Sequence, residues 1–123
     1  VKKIGIVFNL DPHYRGGSHW VCIFCEFSQK RCEISYFDSF AKGPPDEINS
    51  LMDRIRRTSN NHLKIQMKKK INKVQTQFGN SECGVYCMRF LEGMVQNRTF
   101  EDITESIVSD TDMNNWRDYF FRS

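Results

Sequence analysis

The order of hydrophobic patterns along the chain constrains the fold more than any other feature. Three apolar segments rich in β-branched and aromatic residues occupy the first 40 residues: 2–10 (KKIGIVFNL), 19–27 (HWVCIFCEF) and 31–39 (RCEISYFDS). Segments of this kind, bounded by polar or glycine-containing turns, are typical of β-strands, and short connections favour antiparallel pairing. We therefore predict an antiparallel meander whose first strand is buried.

Helical periodicity replaces this pattern in the middle of the chain. Segment 44–57 opens with two prolines and carries apolar side chains at the spacing i, i+3, i+4 and i+7: Ile48, Leu51, Met52 and Ile55. Because this spacing places them on one face, we predict an amphipathic helix that ends before the polar stretch 58–62. Segment 63–77 alternates weakly and is predicted to form one or two strands.

Further helices are expected towards the C-terminus. One is predicted from Cys83 to about Gln96, a short one after Thr99, and a last one from about Asp110. Thr99 with Asp102 resembles a capping box, in which the hydroxyl accepts the backbone N–H three residues later. Strands followed by helices indicate an α+β fold. The length of 123 residues fits a single domain over residues 1–123.

The cysteine content argues against a secreted, disulfide-bonded protein. The chain has five cysteines at irregular spacing, whereas a disulfide framework is typically an even set: Cys22, Cys25, Cys32, Cys83 and Cys87. No apolar run approaches the roughly 20 residues that a membrane span requires. We therefore expect reduced thiols, a soluble chain with no membrane contact, and a cytoplasmic location.

Basic side chains are concentrated in the middle of the chain, although the net charge is only +3. Eight lysines and arginines lie between positions 54 and 73, whereas segment 101–112 is acidic. A solvated face is the ordinary explanation of such a run. Contact with nucleic acid or with an acidic partner is the alternative.

Cys83 stands where a nucleophilic cysteine is expected. It follows a polar turn at 79–81, precedes Gly84 and begins a predicted helix. The attacking species is the thiolate, and the unpaired N–H groups and dipole of a helix N-terminus favour negative charge. Gly84 would let a substrate approach closely. A cysteine before glycine can equally be a small buried apolar residue, so this position alone does not identify a nucleophile.

A cysteine nucleophile is usually activated by a histidine, and His19 is the best placed of the three. His13 and His62 lie in polar, loop-like sequence, which predicts surface positions. His19 begins the second strand and Asp38 ends the third, and in a hairpin the start of one strand lies beside the end of the next. We therefore expect the Asp38 carboxylate beside the His19 imidazole, where it would fix the tautomer.

Together these residues form the pattern of a known enzyme family. The pattern is a His-Trp pair at the start of a strand, an aspartate at the end of the next, and a glutamine six residues before a Cys-Gly pair: His19-Trp20, Asp38, Gln77 and Cys83-Gly84. It resembles the ubiquitin-like-protein (SUMO-specific) cysteine proteases and the adenovirus protease. The stretches NSECGVYCMRFL and SDTDMNNWRDYF look most similar to the maturation proteases of nucleocytoplasmic large DNA viruses, of the African swine fever virus type.

The resemblance implies a papain-like or adenain-like core, in which a mostly antiparallel sheet packs against the helix that carries the nucleophile. It implies Cys83 as nucleophile, His19 as general base and acid, and Asp38 as the residue that orients His19. Gln77 would donate a side-chain N–H to the oxyanion, beside the backbone N–H of Cys83. Gln75 is the rival donor, at a less suitable offset. No metal or other cofactor is implied.

The resemblance also implies how substrate is selected. Trp20, beside the catalytic histidine, would roof a narrow tunnel for a Gly-Gly stretch of the substrate, although plain core packing of Trp20 is the alternative. A passage without room for a Cβ atom would select Gly-Gly or Gly-Gly-X sites. The implied role is processing of viral structural polyproteins during virion maturation, in the host cytoplasm or viral factory and in the virion. The alternative is a deconjugating isopeptidase that acts on SUMO or ubiquitin-like modifiers.

One departure from the family, one further partner and two rival interpretations remain. Family members carry an N-terminal helical segment before the first strand, and we expect this chain to lack it or to be separated from it. An accessory nucleic acid or an activating peptide is a further implied partner. A zinc site is not expected, because Cys22 and Cys25 lie three apart on a strand and point to opposite faces. A catalytically silent nucleic-acid-binding module would require the Gln-Cys-His-Asp set to be coincidence.

Overall fold

The computed structural model describes residues 2–10, 19–76 and 83–105, and of Cys83 it describes the backbone only. The elements in chain order are β1 (Lys2–Leu10), β2 (His19–Phe27), β3 (Cys32–Phe37), α1 (Asp46–Leu63), β4 (Lys68–Ile71), α2 (Cys83–Val95) and α3 (Phe100–Glu105). The predicted α+β class is confirmed. The turn at 11–18 and the predicted last helix lie outside the described residues, and within these residues no helix is long and apolar enough to cross a membrane.

Within the described residues the strands form one sheet with the order β1-β2-β3-β4. β1, β2 and β3 form the predicted antiparallel meander, in which Leu10 pairs with His19 and Phe27 pairs with Cys32. β4 lies parallel to β3, and Ile71 pairs with Tyr36. The helix α1 makes the crossover that a parallel pair requires.

The prediction that the first strand is buried is wrong. No residue of β1 is fully buried, and Ile4 and Val7 are 40% and 43% exposed. The described part of the sheet places β1 at an edge with β2 as its neighbour. Apolar composition indicates a strand but does not say how many neighbours the strand will have.

The sequence also misplaced the end of α1 and the extent of β4. α1 continues through the polar stretch 58–62 to Leu63 and ends at Lys64, whose φ of 57° is left-handed. The polar stretch contributes to packing, because Ser59 is buried and the side-chain oxygen of Asn60 accepts the backbone N–H of Met67 at 2.8 Å. The strand predicted within 63–77 is therefore limited to the four residues of β4.

The sheet separates two apolar clusters. One contains Cys22 and Phe24 of β2 together with Val85, Phe90 and Met94 of α2. The other contains the alternate residues of β2 with the buried face of α1: Val21, Ile23, Cys25, Ile48 and Met52. Cys22 and Cys25 therefore lie on opposite faces of the sheet, as their spacing predicts.

α3 is held at its start and against the sheet. The Thr99 hydroxyl accepts the backbone N–H of Asp102 at 3.0 Å, which is the cap that the sequence predicts. Lys70 of β4 contacts Glu101 at 2.7 Å and Glu33 at 3.0 Å. Partial burial lowers the pKa of Lys70, but the hydrogen bonds to the two glutamates raise it, and the net shift is upward. Lys70 therefore stays charged and joins α3 to the sheet.

Gly93 of α2 lies close to Ile103 of α3. A Cβ atom on Gly93 would lie 2.6 Å from Cδ1 and 3.1 Å from Cγ1 of Ile103, which is buried. We expect Gly93→Ala to lower the free energy of unfolding by about 1 kcal/mol, because overpacking costs about 1–3 kcal/mol and alanine returns about 1 kcal/mol of helix propensity. Chemical denaturation measures the change.

The matched control is Gly84→Ala in the same helix, where the added Cβ would be 3.8 Å from Trp20 and in ordinary contact. It should leave stability unchanged or slightly raised. In an Ile103→Val background, which removes Cδ1, the cost of Gly93→Ala should shrink. Strict additivity of the two substitutions would contradict the predicted clash.

Candidate active site

His19 and Asp38 meet where β2 begins and β3 has just ended. The Nε2 atom of His19 lies 2.8 Å from Oδ1 of Asp38. The Asp38 side chain is 3% exposed and the His19 side chain 20%. The hairpin spacing predicted this contact. The β2–β3 register produces it, since Cys22 of β2 pairs with Phe37, the residue directly before Asp38.

The Asp38 carboxylate is held by several hydrogen bonds. Oδ1 also accepts the backbone N–H of Phe40 at 2.9 Å. The backbone N–H of Asp38 donates to Oδ1 of Asn72 at 2.9 Å, and its carbonyl oxygen accepts Nδ2 of Asn72 at 2.6 Å and the N–H of Ala41 at 2.8 Å. The bonds from His19 and Phe40 to Oδ1 offset part of the cost of removing a carboxylate from water, and the bonds to Asn72 and Ala41 hold the Asp38 backbone. They also fix the direction of the acid.

The bond to Asp38 determines which ring nitrogen of His19 can act as a base. An ionised carboxylate only accepts, so Nε2 carries the proton in the neutral ring and Nδ1 carries the lone pair. The ring packs on Phe40 with centroids 5.0 Å apart and planes tilted by 45°. His19 is thus an oriented imidazole whose Nδ1 can take up a proton.

The first turn of α2 lies against the His19 end of β2. The Cys87 thiol donates to the carbonyl oxygen of Trp20 at 3.3 Å, and a Cβ atom on Gly84 would lie 3.8 Å from Cδ1 of Trp20. Trp20 follows His19 and Gly84 follows Cys83, so these contacts bring the backbone of the predicted nucleophile towards the histidine. Cys87 is buried, so its thiol lies in the core beside these residues.

The Cys83 side chain and the whole of Gln77 lie outside the described residues. The residue before Gln77 is firmly held: the N–H of Thr76 donates to the carbonyl oxygen of Ser39 at 2.9 Å. The Thr76 carbonyl oxygen accepts the hydroxyl of Tyr86 on α2 at 2.8 Å. Gln75, the rival oxyanion donor, is exposed.

Trp20 is not a core residue. It is 37% exposed, whereas the residues that follow it in β2 are buried. An exposed indole beside His19 and Gly84 is an apolar surface that a substrate could contact. Of the other predicted positions, His62 is exposed as expected and His13 lies outside the described residues.

The buried thiols of Cys22 and Cys25 are unsuited to nucleophilic attack. Burial raises the pKa of Cys22 well above its ordinary value, and a hydrogen bond and the charge of Cys87 and the charge of Asp38 raise it further. Burial, followed by Cys32, raises the pKa of Cys25 to about 11. These thiols stay protonated near neutral pH and are poor nucleophiles. In the described part of the chain no group of three or more His, Cys, Asp or Glu residues is arranged to hold a metal ion.

The basic run is partly neutralised. Lys69 contacts Asp53 at 2.8 Å, and Lys70 is paired with the two glutamates. Hydrogen bonding to Lys69 lowers the pKa of Asp53 despite some desolvation, and the charges of Arg56 and Arg57 add to this shift. The solvated-face explanation fits the exposed members of the run and does not fit these two half-buried lysines; the exposed members are Arg54, Arg57, Lys64, Lys68 and Lys73.

Sequence reasoning missed Asn72 and Phe40. Asn72 follows a lysine-rich strand, and its partner Asp38 is 34 residues away, so no local pattern reveals it. Phe40 follows Asp38 by two residues, and an aromatic residue directly after the proposed orienting acid was the available indication.

Comparison with known proteins agrees with this geometry. The model of the Ulp1 protease family, C-terminal catalytic domain, matches residues 1–123. A protein of Acanthamoeba polyphaga mimivirus, whose name describes a candidate thiol protease, is 30% identical over 128 residues, which cover 100% of this chain and 40% of the mimivirus protein. The SUMO-1 cysteine protease of African swine fever virus is 28% identical over 124 residues, covering 98% of this chain and 44% of the relative.

Solved structures show the same likeness. A crystal structure of the African swine fever virus protease superposes with a TM-score of 0.85 at 27% identity and covers 98% of this chain and 44% of that one. ChlaDub1 of Chlamydia trachomatis shares the fold, with a TM-score of 0.68 at 16% identity over 95% of this chain and 58% of that one. The chain spans less than half the length of the curated relatives that it matches. With its whole length matched by the family model and its fold shared with a viral member, the chain belongs to the Ulp1 protease family of cysteine proteases.

Proposed function

We propose that this chain is a cysteine endopeptidase with Cys83 as nucleophile, His19 as general base and acid, and Asp38 as the residue that orients His19. The observation that carries the proposal is the 2.8 Å bond between His19 Nε2 and Asp38 Oδ1, at the end of β2 against which the first turn of α2 packs. Residues 1–123 would form the catalytic domain. No cofactor takes part in the proposed chemistry.

The reaction uses Nδ1 of His19 for each proton transfer, while Nε2 stays hydrogen-bonded to Asp38. Nδ1 of His19 takes the Cys83 proton, and the thiolate attacks the carbonyl carbon of the scissile bond to give a tetrahedral oxyanion. The imidazolium then returns the proton to the leaving amine, the C–N bond breaks and a thioester remains. His19 next deprotonates a water that attacks the thioester, which releases the carboxylic acid and restores the thiol. Asp38 stabilises the imidazolium throughout.

Two features of the proposed site stabilise negative charge, one on the Cys83 thiolate and the other on the tetrahedral oxyanion. The N-terminus of α2 stabilises the Cys83 thiolate, since its backbone N–H groups and dipole are directed at that residue. The side-chain N–H of Gln77 and the backbone N–H of Cys83 donate to the oxyanion. A donor is effective when it is positioned before the reaction, and the bonds of Thr76 to Ser39 and Tyr86 support such positioning of the residue that follows.

The proposed substrate is a protein with a Gly-Gly or Gly-Gly-X site. The exposed indole of Trp20 lies beside Gly84, which leaves free the space that a side chain there would occupy. A substrate residue with a Cβ atom would compete for this space, whereas glycine would not. Selection of this kind works by excluding larger residues.

The proposed role is processing of viral structural polyproteins during virion maturation, in the host cytoplasm or viral factory and in the virion. The viral origin of the mimivirus and African swine fever virus relatives supports it. The printed name of the second relative, a SUMO-1 cysteine protease, favours the alternative of a deconjugating isopeptidase. Accessory nucleic acid or an activating peptide remains a proposed partner, with the unpaired part of the basic run as the surface for an acidic one.

Cleavage of a Gly-Gly-X peptide tests the catalytic assignment. We expect Cys83→Ala and His19→Ala to lower kcat by about 10³-fold or more, because each removes a member of a cooperating set. Gln77→Ala should lower kcat by about 10²–10³-fold, as loss of one oxyanion donor does. Peptide hydrolysis under initial-rate conditions measures both effects.

The controls are His62→Ala and Gln75→Ala, which remove a surface imidazole and the rival carboxamide while leaving the proposed triad intact. Both should retain wild-type kcat. Cleavage that survives Cys83→Ala would exclude a Cys83 nucleophile, and loss of activity in Gln75→Ala but not in Gln77→Ala would reassign the oxyanion donor.

Thiol labelling tests the activation of Cys83 without any substrate. At pH 6 to 7, iodoacetamide should alkylate Cys83 fastest and His19→Ala should slow it, because the variant lacks the proton acceptor. Cys22 and Cys25 should react only after denaturation, since burial raises the pKa of both thiols. Peptide mapping by mass spectrometry gives the order, and equal labelling of all five cysteines in the native protein would argue against an activated nucleophile.

A comparison of substrates separates processing from deconjugation. We expect kcat/KM for the Gly-Gly-X peptide to exceed that for a SUMO or ubiquitin adduct, because the processing role needs only the extended site. The same enzyme preparation is assayed on both, with Cys83→Ala as the blank. A preference of about tenfold or more for the adduct, equivalent to about 1.4 kcal/mol of selective binding, would assign the chain to deconjugation.

A further inference from the structure

We propose that Asn72 is a positioning residue, which fixes the Asp38 carboxylate and through it the tautomer and orientation of the His19 imidazole. The inference rests on the proposed function, in which His19 is the base. It concerns a residue that touches neither the substrate nor the reacting atoms.

The Asn72 side chain continues the hydrogen bonding between β3 and β4 at the point where these two strands end. β3 ends at Phe37 and β4 at Ile71, so Asp38 and Asn72 are the first residues beyond the parallel pair. The backbone N–H of Asn72 still reaches the carbonyl oxygen of Tyr36 at 3.3 Å. Beyond this bond, the Asn72 side chain replaces the backbone as the partner of β3.

The carboxamide of Asn72 forms two complementary hydrogen bonds with Asp38. Its Oδ1 accepts the backbone N–H of Asp38 at 2.9 Å and its Nδ2 donates to the carbonyl oxygen of Asp38 at 2.6 Å. Because one partner atom is a donor and the other an acceptor, the orientation of the amide group is unambiguous. The two bonds therefore hold the backbone groups on both sides of the Cα atom of Asp38, from which the carboxylate side chain extends.

Burial makes these two hydrogen bonds hard to replace. Asn72 is 3% exposed and Asp38 is 2% exposed, so solvent has little access to the two bonds. A carboxamide is the side-chain group that donates and accepts at once at this length, whereas a carboxylate only accepts and a methyl group does neither. Loss of the amide would remove the acceptor of the buried Asp38 N–H and leave the Asp38 carbonyl oxygen with the N–H of Ala41, so the backbone at Asp38 would move to find another acceptor.

The displacement of Asp38 would be transmitted to His19. The carboxylate contacts the ring through a single 2.8 Å bond to Nε2, so movement of the backbone lengthens or bends that bond. The ring would then exchange between its two neutral tautomers, and the fraction with a lone pair on Nδ1 would fall. Misplacement of a catalytic group by about 1 Å can cost about 10²-fold in rate.

The test compares Asn72→Ala and the isosteric Asn72→Asp with Asn60→Ala. Asn60 is the matched control, because its carboxamide also holds a backbone N–H, that of Met67, but on α1 away from His19. The first readout is kcat and KM on the Gly-Gly-X peptide. The second is the ¹⁵N chemical shifts of the His19 ring, which report the tautomer directly, with His13 and His62 as internal references.

We expect Asn72→Ala to lower kcat by about 10- to 100-fold with KM within about twofold, since substrate binding is untouched. The neutral His19 ring should change from the Nε2–H form to a mixture of tautomers. Asn72→Asp should behave similarly, because it keeps the acceptor and the shape but loses the N–H donor. Asn60→Ala should lower thermal stability without changing kcat or the ring signals.

Wild-type kcat in Asn72→Ala with an unchanged tautomer would overturn the proposal, and so would equal effects of Asn72→Ala and Asn60→Ala on kcat and on the ring signals. If Asn72→Ala does not fold, Asn72→Asp alone decides by the same two readouts. A wild-type protein that does not cleave the Gly-Gly-X peptide would contradict the proposed function. The tautomer of the His19 ring would still show whether Asn72 positions Asp38. The two failures are therefore distinguishable.

Discussion

The buried contact between the Asp38 carboxylate and the His19 imidazole depends on the register of β2 against β3. A slip by one residue would turn every side chain of one strand to the opposite face and separate the pair. Packing opposes such a slip, because the slip would exchange the sets of side chains that β2 places in the two cores, Cys22 and Phe24 in one and Val21 and Ile23 in the other. The two cores that stabilise the fold thus also determine the distance between the proposed base and the acid that orients it.

Aromatic packing holds α2, which begins at Cys83, the third member of the proposed triad, against the sheet. Phe37, the last residue of β3, stacks on Phe90 of α2 with centroids 4.8 Å apart, and Phe90 meets Phe100 of α3 edge to face at 5.9 Å. Phe37 directly precedes Asp38, and Phe90 belongs to the helix that begins at Cys83. A rigid aromatic core therefore connects the oriented histidine with the helix N-terminus, which is the arrangement that preorganised catalysis requires.

How far the sequence predicts the site depends on how local each contact is. The His19–Asp38 pair follows from a short hairpin, so strand spacing and turn residues were sufficient to predict it. The length of α1 was misjudged because the partner of Asn60 lies beyond the helix end, and the edge position of β1 depends on neighbours that composition does not encode. Asn72 reaches Asp38 only through parallel pairing across a helical crossover, a contact between distant segments that no pattern within either segment reveals.

The chemistry and the choice of substrate reside in different parts of this molecule. Hydrolysis of a Gly-Gly-X peptide bond and of an isopeptide bond needs the same thiolate, imidazole and oxyanion donors, so neither the His19–Asp38 pair nor Asn72 distinguishes them. A folded modifier is gripped over about 1,200–2,000 Å² of total interface, far more than an exposed indole such as Trp20 can supply. Because the orienting network around Asp38 is buried and faces the core, the exposed surface can change without disturbing it. Polyprotein processing and deconjugation, the two activities proposed for this chain, would therefore differ in the demands they make on the exposed surface and not in those they make on the buried carboxylate and its amide partner.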